Sequence, residues 1–317
     1  MPFATSLKFI QKLFNLESVV RFSTLKMIES RNEVKIRLAQ TEDKEAVLAF
    51  CQHTWEDRED YIHRVWDKWL ADENGKIFVA VMDSQPVAMI RLVLMSEREA
   101  WWEGLGVDPR YRKRGLVKVL EASVERYLAE ANVSISRSAV LASNALMNDI
   151  MVRRGRQKVG SYFGYVAPSI NSSSSQLKKL EISDFDSLCK LITIYPHDQR
   201  EVCLYINRGA KWQELTAQQL TQRLKSGQVW GLKQNHCCQS MAIQSYLEGS
   251  NKTLWIGFVT GDNESLPTLL HQLPQQAYYM GYQTVSGMFP QNSFILDSLA
   301  RSGYQKVESE ELWLYEW

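Results

Sequence analysis

At 317 residues the chain has room for two domains of ordinary size, and its 45% apolar content is ample for packed cores. A formal net charge of +1 argues against a general nucleic-acid binder or a polybasic membrane protein, and no apolar run approaches the roughly 18 to 20 residues that span a bilayer. The cysteines Cys51, Cys189, Cys203, Cys237 and Cys238 are odd in number and show no C-x-x-C spacing. They fit reduced thiols in a cytoplasmic protein better than a disulfide framework. His236 beside Cys237 and Cys238 lacks a second ligand pair and reads as a turn between strands, so no metal is expected.

Residues 1–32 are basic, with Phe3, Leu7, Ile10 and Phe14 at helical spacing, and read as a loosely attached helical extension. Glu17 and Glu29 count against a targeting peptide. Alternation at Val34, Ile36 and Leu38 predicts a strand. Thr41 then reads as an N-cap, followed by a helix burying Ala46, Val47 and Phe50. Trp55 to Leu70 is helical in pattern and mixes Trp55, Tyr61, Trp66 and Trp69 with Glu56, Asp57, Glu59 and Asp60. Ile77 to Met82 and Val87 to Met95 predict a hairpin around residues 83–86, and Trp101 to Val107 the next strand.

That strand delivers the chain into the most informative stretch. Asp108-Pro109 breaks it, Arg112, Lys113 and Arg114 follow, and after Gly115 an amphipathic helix buries Val117, Leu120, Val124 and Leu128. A helix N-terminus presents unpaired backbone N–H groups and the positive end of the peptide dipoles, so this turn is built to hold an anion such as phosphate. Ile135 to Leu141 is a further strand, Asn144 opens a short helix ending near Gly155, and Val159 to Val166 closes the domain. Four consecutive serines in 169–176 read as a linker.

The second half repeats the plan. Lys179 to Ile182 predicts a strand, Ser183 a cap, Val229 to Leu232 with Ser240 to Leu247 a hairpin, and Leu254 to Val259 another strand. Asn144 and Gly155 are eleven apart, as are Asn292 and Gly303, and Gln157-Lys158-Val159 recurs as Gln305-Lys306-Val307 at the same offset of 148. Shared spacing and element order indicate a tandem duplication. The expected organisation is an extension at 1–32, a catalytic domain at 33–168, a linker at 169–176 and a degenerate copy at 177–317. In that copy acids follow Val259 where the first half has arginines, so an anion is expected to bind once per chain.

Val107-Asp108-Pro109 followed by Arg112-Lys113-Arg114-Gly115-Leu116-Val117 resembles the signature of the GNAT superfamily, the acyl-CoA-dependent N-acyltransferases. The order of elements from Val34 to Val166 is similar to the whole family domain. The resemblance implies an α/β fold with a mixed sheet, here two tandem GNAT-like domains with the second degenerate. It also implies that acetyl-CoA is the co-substrate. Backbone N–H groups from Arg112, Lys113, Arg114, Gly115, Leu116 and Val117 would hold its pyrophosphate. Leu105, Gly106 and Val107 would bond its pantetheine arm like an added strand, and Asn144 would touch that arm or a water. Val117 departs from the family's glycine or alanine.

Acetyl transfer needs a neutral amine, and Glu103 is the candidate general base, since family members often carry a glutamate in this place. Strand alternation puts residues 103, 105 and 107 on one face. The alternative is a strand carboxylate paired with a nearby arginine. Where the family often has a proton-donating tyrosine this chain has Met151; either another donor such as Tyr162 or solvent serves, or the thiolate leaves unprotonated, and no general acid is named. Asp60-Tyr61, Trp69-Leu70 and Glu103-Gly104-Leu105 are similar to the histidine N-acetyltransferase group, so the expected partner is a small-molecule amine, a free amino acid among the candidates. The alternatives are a protein or peptide N-terminus as acceptor, or a non-catalytic acetyl-CoA-binding module.

Overall fold

The computed structural model describes residues 34–52, 60–172, 175–194, 203–207, 209–247 and 251–317, without the side chains of 308–310. The extension 1–32, Trp55, Glu56, Asp57, Glu59 and part of the serine-rich stretch lie outside the described residues.

Strand β1 (Lys35–Leu38) turns into helix α1 (Lys44–Cys51). Thr41 is not the cap. The Asp43 carboxylate reaches back to accept from the Gln40 N–H at 2.8 Å, and Arg37 holds it with hydrogen bonds of 2.6 and 2.7 Å. A charged carboxylate is a stronger acceptor than the threonine hydroxyl, which decides the competition. The second half repeats the device. Asp184, not Ser183, accepts from the Glu181 N–H at 3.0 Å and pairs with Lys233 before helix α5 (Phe185–Ile194).

Burial alone would raise Asp43 and Asp184, but the cation and backbone N–H facing each of them win, and both carboxyls sit below their usual range. Such a group contributes stability that is present above its unfolded pKa of about 4 and is lost as pH falls through the lower folded value. Asp43→Asn and Asp184→Asn should lower the thermal midpoint at neutral pH and make it less sensitive to acid, as scanning calorimetry from neutral pH to below about pH 4 would report.

The first half continues with α2 (Ile62–Leu70), β2 (Gly75–Met82), β3 (Gln85–Leu94), β4 (Glu99–Val107), α3 (Leu116–Glu130), β5 (Ile135–Leu141), α4 (Ala145–Arg153) and β6 (Gln157–Pro168). The β2–β3 hairpin closes through Asp83 and Ser84 at φ 48° and 65°, the left-handed pair that a tight hairpin requires. The second half contains β7 (Lys178–Lys179), α5, β8 (Leu204–Ile206), β9 (Trp212–Glu214), α6 (Ala217–Lys225) and β10 (Val229–Gln234). It ends with β11 (Cys237–Gln244), β12 (Thr253–Gly261), α7 (Ser265–Tyr279), β13 (Thr284–Pro290), α8 (Ser293–Arg301) and β14 (Gln305–Glu316).

All strands but β8 and β9 join one mixed sheet of order β1-β2-β3-β4-β5-β14-β6-β13-β12-β11-β10-β7, in which β4–β5 and β12–β13 are the parallel pairs. This order differs from a first domain that closes on its own last strand. Strand β14 lies between β5 and β6, and β6 lies against β13, so each half ends in a strand that completes the sheet of the other. Arg137 on β5 secures the exchange: its buried guanidinium pairs with Glu99 of β4 and, at 2.7 Å, with Glu316 of β14. The exchange also leaves neither β5 nor β6 as an open edge.

Period-2 alternation divides the helices between the two faces. Ile77, Val79 and Val81 pack with α1 and α2, while Phe78 meets Tyr127 of α3 on the opposite face, with ring centroids 5.8 Å apart. The β8–β9 hairpin covers the α1–α2 face farther along. Trp212 stacks on Trp101 at 5.8 Å, and Gln213 Nε2 donates to the Met95 carbonyl at 2.8 Å. Among the described residues no helix is long and apolar enough to cross a membrane.

Candidate active site

Strand β4 carries a bulge. Gly106 lies opposite Met89 and Glu103 opposite Arg91, so β4 spends one residue more than β3 over the same span. Gly104 absorbs it at φ +65°, and a Cβ there would stand 2.7 Å from Cζ3 of Trp69. Simple alternation of 103, 105 and 107 therefore breaks at Gly104, because a bulge re-aims the residues on either side.

Beyond the bulge the sheet opens. Strands β4 and β5 pair only from Glu99 to Trp101 against Ile135 to Arg137, and then diverge. A cavity of about 420 Å³ fills the gap, bordered by Leu105, Gly106, Ser138 to Leu141 and Asn144. On the α1–α2 face its wall is Cys51, Asp60, Tyr61, Ile62, Glu103 and Ala210; on the α3–α4 face it is Trp102, Glu121, Met147, Met151, Arg156 and Trp317. Gly209, Ala210, Leu312 and Trp317 bring the second half into that wall.

The cationic turn stands where β4 leads into α3. Asp108 Oδ1 accepts from the Arg110 N–H at 2.9 Å, Arg110 pairs back with Asp108 at 2.7 Å, and Arg112 Nε donates to the Val107 carbonyl at 3.3 Å. Lys113 and Gly115 adopt φ +63° and +76°, and Gly115 precedes α3 with no side-chain cap. Arg112, Lys113 and Arg114 are exposed, Leu116 is buried and Val117 half-buried. Left-handed residues before an uncapped helix turn backbone N–H groups outward in the manner of an anion nest.

The second half lacks this turn. Eight residues, 108–115, join β4 to α3, whereas three, 262–264, join β12 to α7, a helix of the same 15 residues. Asp262 Oδ1 accepts from the N–H groups of Glu264 and Ser265 at 3.0 and 2.7 Å. That helix end already holds an anion, its own.

Glu103 sits between two cations. One oxygen pairs with Arg91, the other with Lys211 Nζ at 2.7 Å. Arg91 also pairs with Asp72 and lies 4.7 Å over the Trp69 ring. The alternative of a strand carboxylate facing an arginine thus describes its ground-state contacts. Lys211 comes from the β8–β9 turn, a hundred residues away, and no local pattern announces it. Arg91 had a signal: an arginine inside the apolar run of β3 must be buried, and a buried charge needs a partner.

The other predicted positions divide. Asn144 borders the gap, but its Oδ1 accepts from the Met147 N–H at 3.1 Å as the cap of α4, and Asn292 caps α8 in the same way at 3.2 Å. The repeated asparagine is thereby accounted for as a helix cap. Met151 lines the gap beside Val140 and Tyr315. Tyr162 is buried against Trp212 at 4.8 Å and is not among the residues that border the cavity. Tyr61 does border it. Two-fifths of the residue is accessible, yet burial of the hydroxyl, aided by the charges of Glu103, Asp60 and Cys51, raises its ionisation and keeps the phenol protonated. Burial and Asp60 push the Cys51 thiol up to about 12, which leaves it an unreactive wall.

Residues 39–149 match the family described as Acetyltransferase (GNAT) family. No curated protein matches the chain. Among solved structures, the GCN5-related N-acetyltransferase from Sphaerobacter thermophilus is 14% identical, with 92% of this chain and 96% of that chain covered at a TM-score of 0.60. A proposed acetyltransferase from Thermoplasma acidophilum is 15% identical over 89% of this chain and 99% of that one, at 0.56. At such identity the likeness speaks for the fold, and it runs through both halves. With a family match over 39–149 and this fold around it, the chain carries a domain of the acetyltransferase (GNAT) family.

Proposed function

We propose that the protein is an N-acetyltransferase that moves an acetyl group from acetyl-CoA to an amine of a small molecule by direct attack in a ternary complex. The observation that carries this reading is the gap between β4 and β5, filled by one cavity whose wall draws on residues from both faces of the sheet, at the end of the strand that leads into the uncapped start of α3. Two reactants can meet there from opposite sides.

The residues fit the co-substrate. The edge of β4 at Leu105, Gly106 and Val107, which does not pair with β5, suits an amide-bearing arm, and the N–H groups from Arg112 to Val117 suit its pyrophosphate. Each N–H bond to a charged phosphate is worth roughly 1.5 to 3 kcal/mol. Acetyl-CoA supplies the thioester; the chain supplies orientation and a path for the proton. The amine nitrogen forms the new C–N bond, the C–S bond breaks, the thiolate takes up a proton and the nitrogen sheds one. A lysine-like amine of pKa about 10.4 costs about 4.6 kcal/mol to deprotonate at neutral pH, so a base or a bound water is useful. Glu103, on the acceptor side of the gap, is our candidate for that base.

The second half we read as a degenerate tandem copy. Its repeated acid cap, asparagine cap and long helix support a common origin, and its shortened turn supports a single co-substrate site. Isothermal calorimetry should give one equivalent of acetyl-CoA per chain, and two equivalents would overturn the assignment. Thiol release from acetyl-CoA, screened against primary amines, free amino acids and peptide N-termini, tests the activity. The two cations on Glu103 and the methionine at 151 favour a second reading, a binding module without turnover. Tight binding with no thiol release from any acceptor would select it.

A further inference from the structure

Five carboxylates are buried among the described residues: Asp43, Asp60, Glu99, Asp108 and Asp184. Four have a cation. Asp43 pairs with Arg37, Glu99 with Arg137, Asp108 with Arg110 and Asp184 with Lys233. Asp60 has none among the described residues, although it is only 7% exposed and forms part of the cavity wall. Its Oδ1 accepts from the Ile62 N–H at 2.8 Å, where α2 begins. His63 Nδ1 lies 2.7 Å from its backbone carbonyl. Arg91 and Lys211, the cations on Glu103 of the same wall, are engaged by it and by Asp72.

A buried charge without a counter-charge costs several kcal/mol, and such groups pair, neutralise or await a ligand. Asp60 lines the cavity together with Cys51 and Tyr61, and its charge adds to the burial that raises the ionisation of both. The surroundings suit an organic cation: Ile62, the Cys51 thiol, and the Tyr61 ring edge-on to Trp69 at 5.8 Å. An aromatic face beside a carboxylate favours a cationic nitrogen through both the ring quadrupole and the charge-assisted hydrogen bond.

We infer that Asp60 is the anchor for the acceptor, receiving its cationic nitrogen as a protonated amine at the α1–α2 wall of the cavity. Only the word acceptor rests on the acetyl-transfer reading; the cation site itself does not. Turnover is therefore unnecessary to the test. Phenethylamine and its neutral counterpart phenethyl alcohol are titrated by calorimetry into protein loaded with coenzyme A, which has no acetyl group to give. The expected result is at least tenfold tighter binding of the amine in the wild type. Asp60→Asn keeps an oxygen for the Ile62 N–H, so α2 retains its start, and it should erase the preference while leaving coenzyme A affinity unchanged. Asp60→Ser, which also keeps a cap oxygen, guards against a fault peculiar to the amide and should behave alike. A preference that survives in both variants, or one absent from the wild type, overturns the inference. Silence in the thiol-release screen would instead count against the activity alone.

Discussion

A chain ending at Tyr304 is expected to be insoluble, and so is the first half, 34–172, produced alone. Without residues 305–317, β5 and β6 lose the strand that lies between them and become facing open edges. Leu314 and Tyr315, almost fully buried, disappear from the core, and Arg137 loses one of its two glutamates. Each such side chain contributes about 1.5 to 3 kcal/mol, against a total stability for a domain of about 5 to 15 kcal/mol. Unpaired edges rich in apolar residues then template aggregation. Isolating the first half leaves β6 without β14 or β13, its two neighbours. Production of 34–172 together with 173–317 should restore a soluble complex, because the strands that each fragment lacks are supplied by the other. Size-exclusion chromatography and circular dichroism check this. A monomeric, cooperatively unfolding 34–172 would show that the exchanged strands are dispensable.

The spacing shared by the two halves was legible because it rests on local chemistry. Asn144 and Asn292 cap helices, and a cap at fixed distance from the next strand leaves a pattern in one dimension. The cationic turn was legible for the same reason, since a strand end, a breaker, a glycine and an amphipathic helix are consecutive. The strand exchange was not. Strands β6 and β14 carry the same Gln-Lys-Val start and are alike in length, so neither says which β5 edge it will meet. That choice is settled by long-range pairs such as Arg137 with Glu316. The acid caps differ from the hydroxyl caps that Thr41 and Ser183 suggest, because several polar residues in a row can each cap, and only the cations Arg37 and Lys233, one of them far along the chain, decide between them. The site divides along the same line. Gly104 and Glu103 belong to a readable stretch, whereas Lys211 arrives from a turn that sequence reasoning had no cause to connect with it. Asp60 lay in view as one acid of several, and what distinguishes it is burial with no cation beside it among the described residues, which only three dimensions reveal.

Glu103→Gln is expected to lower both stability and activity, and a second substitution separates the two losses. The single variant leaves Arg91 with Asp72 alone and Lys211 with no charged partner, both side chains at most about one-tenth exposed. Breaking a mostly buried pair from one side costs about 3 kcal/mol, because the remaining charge stays desolvated. Adding Lys211→Met removes that surplus charge while keeping the length and apolar stem of the side chain, so at least half of the lost stability should return. Activity should behave differently. A general base is worth roughly 10² to 10⁴ in rate, and nothing in the double variant replaces it. The double variant should therefore regain its thermal midpoint yet remain at least about a hundredfold below wild type in kcat/KM, with the acid limb of the pH–rate profile gone. Recovery of activity together with stability would mean that Glu103 serves to hold Lys211 and Arg91 in place. The proton would then leave the amine by another route, through water at the cavity wall where Asp60 stands.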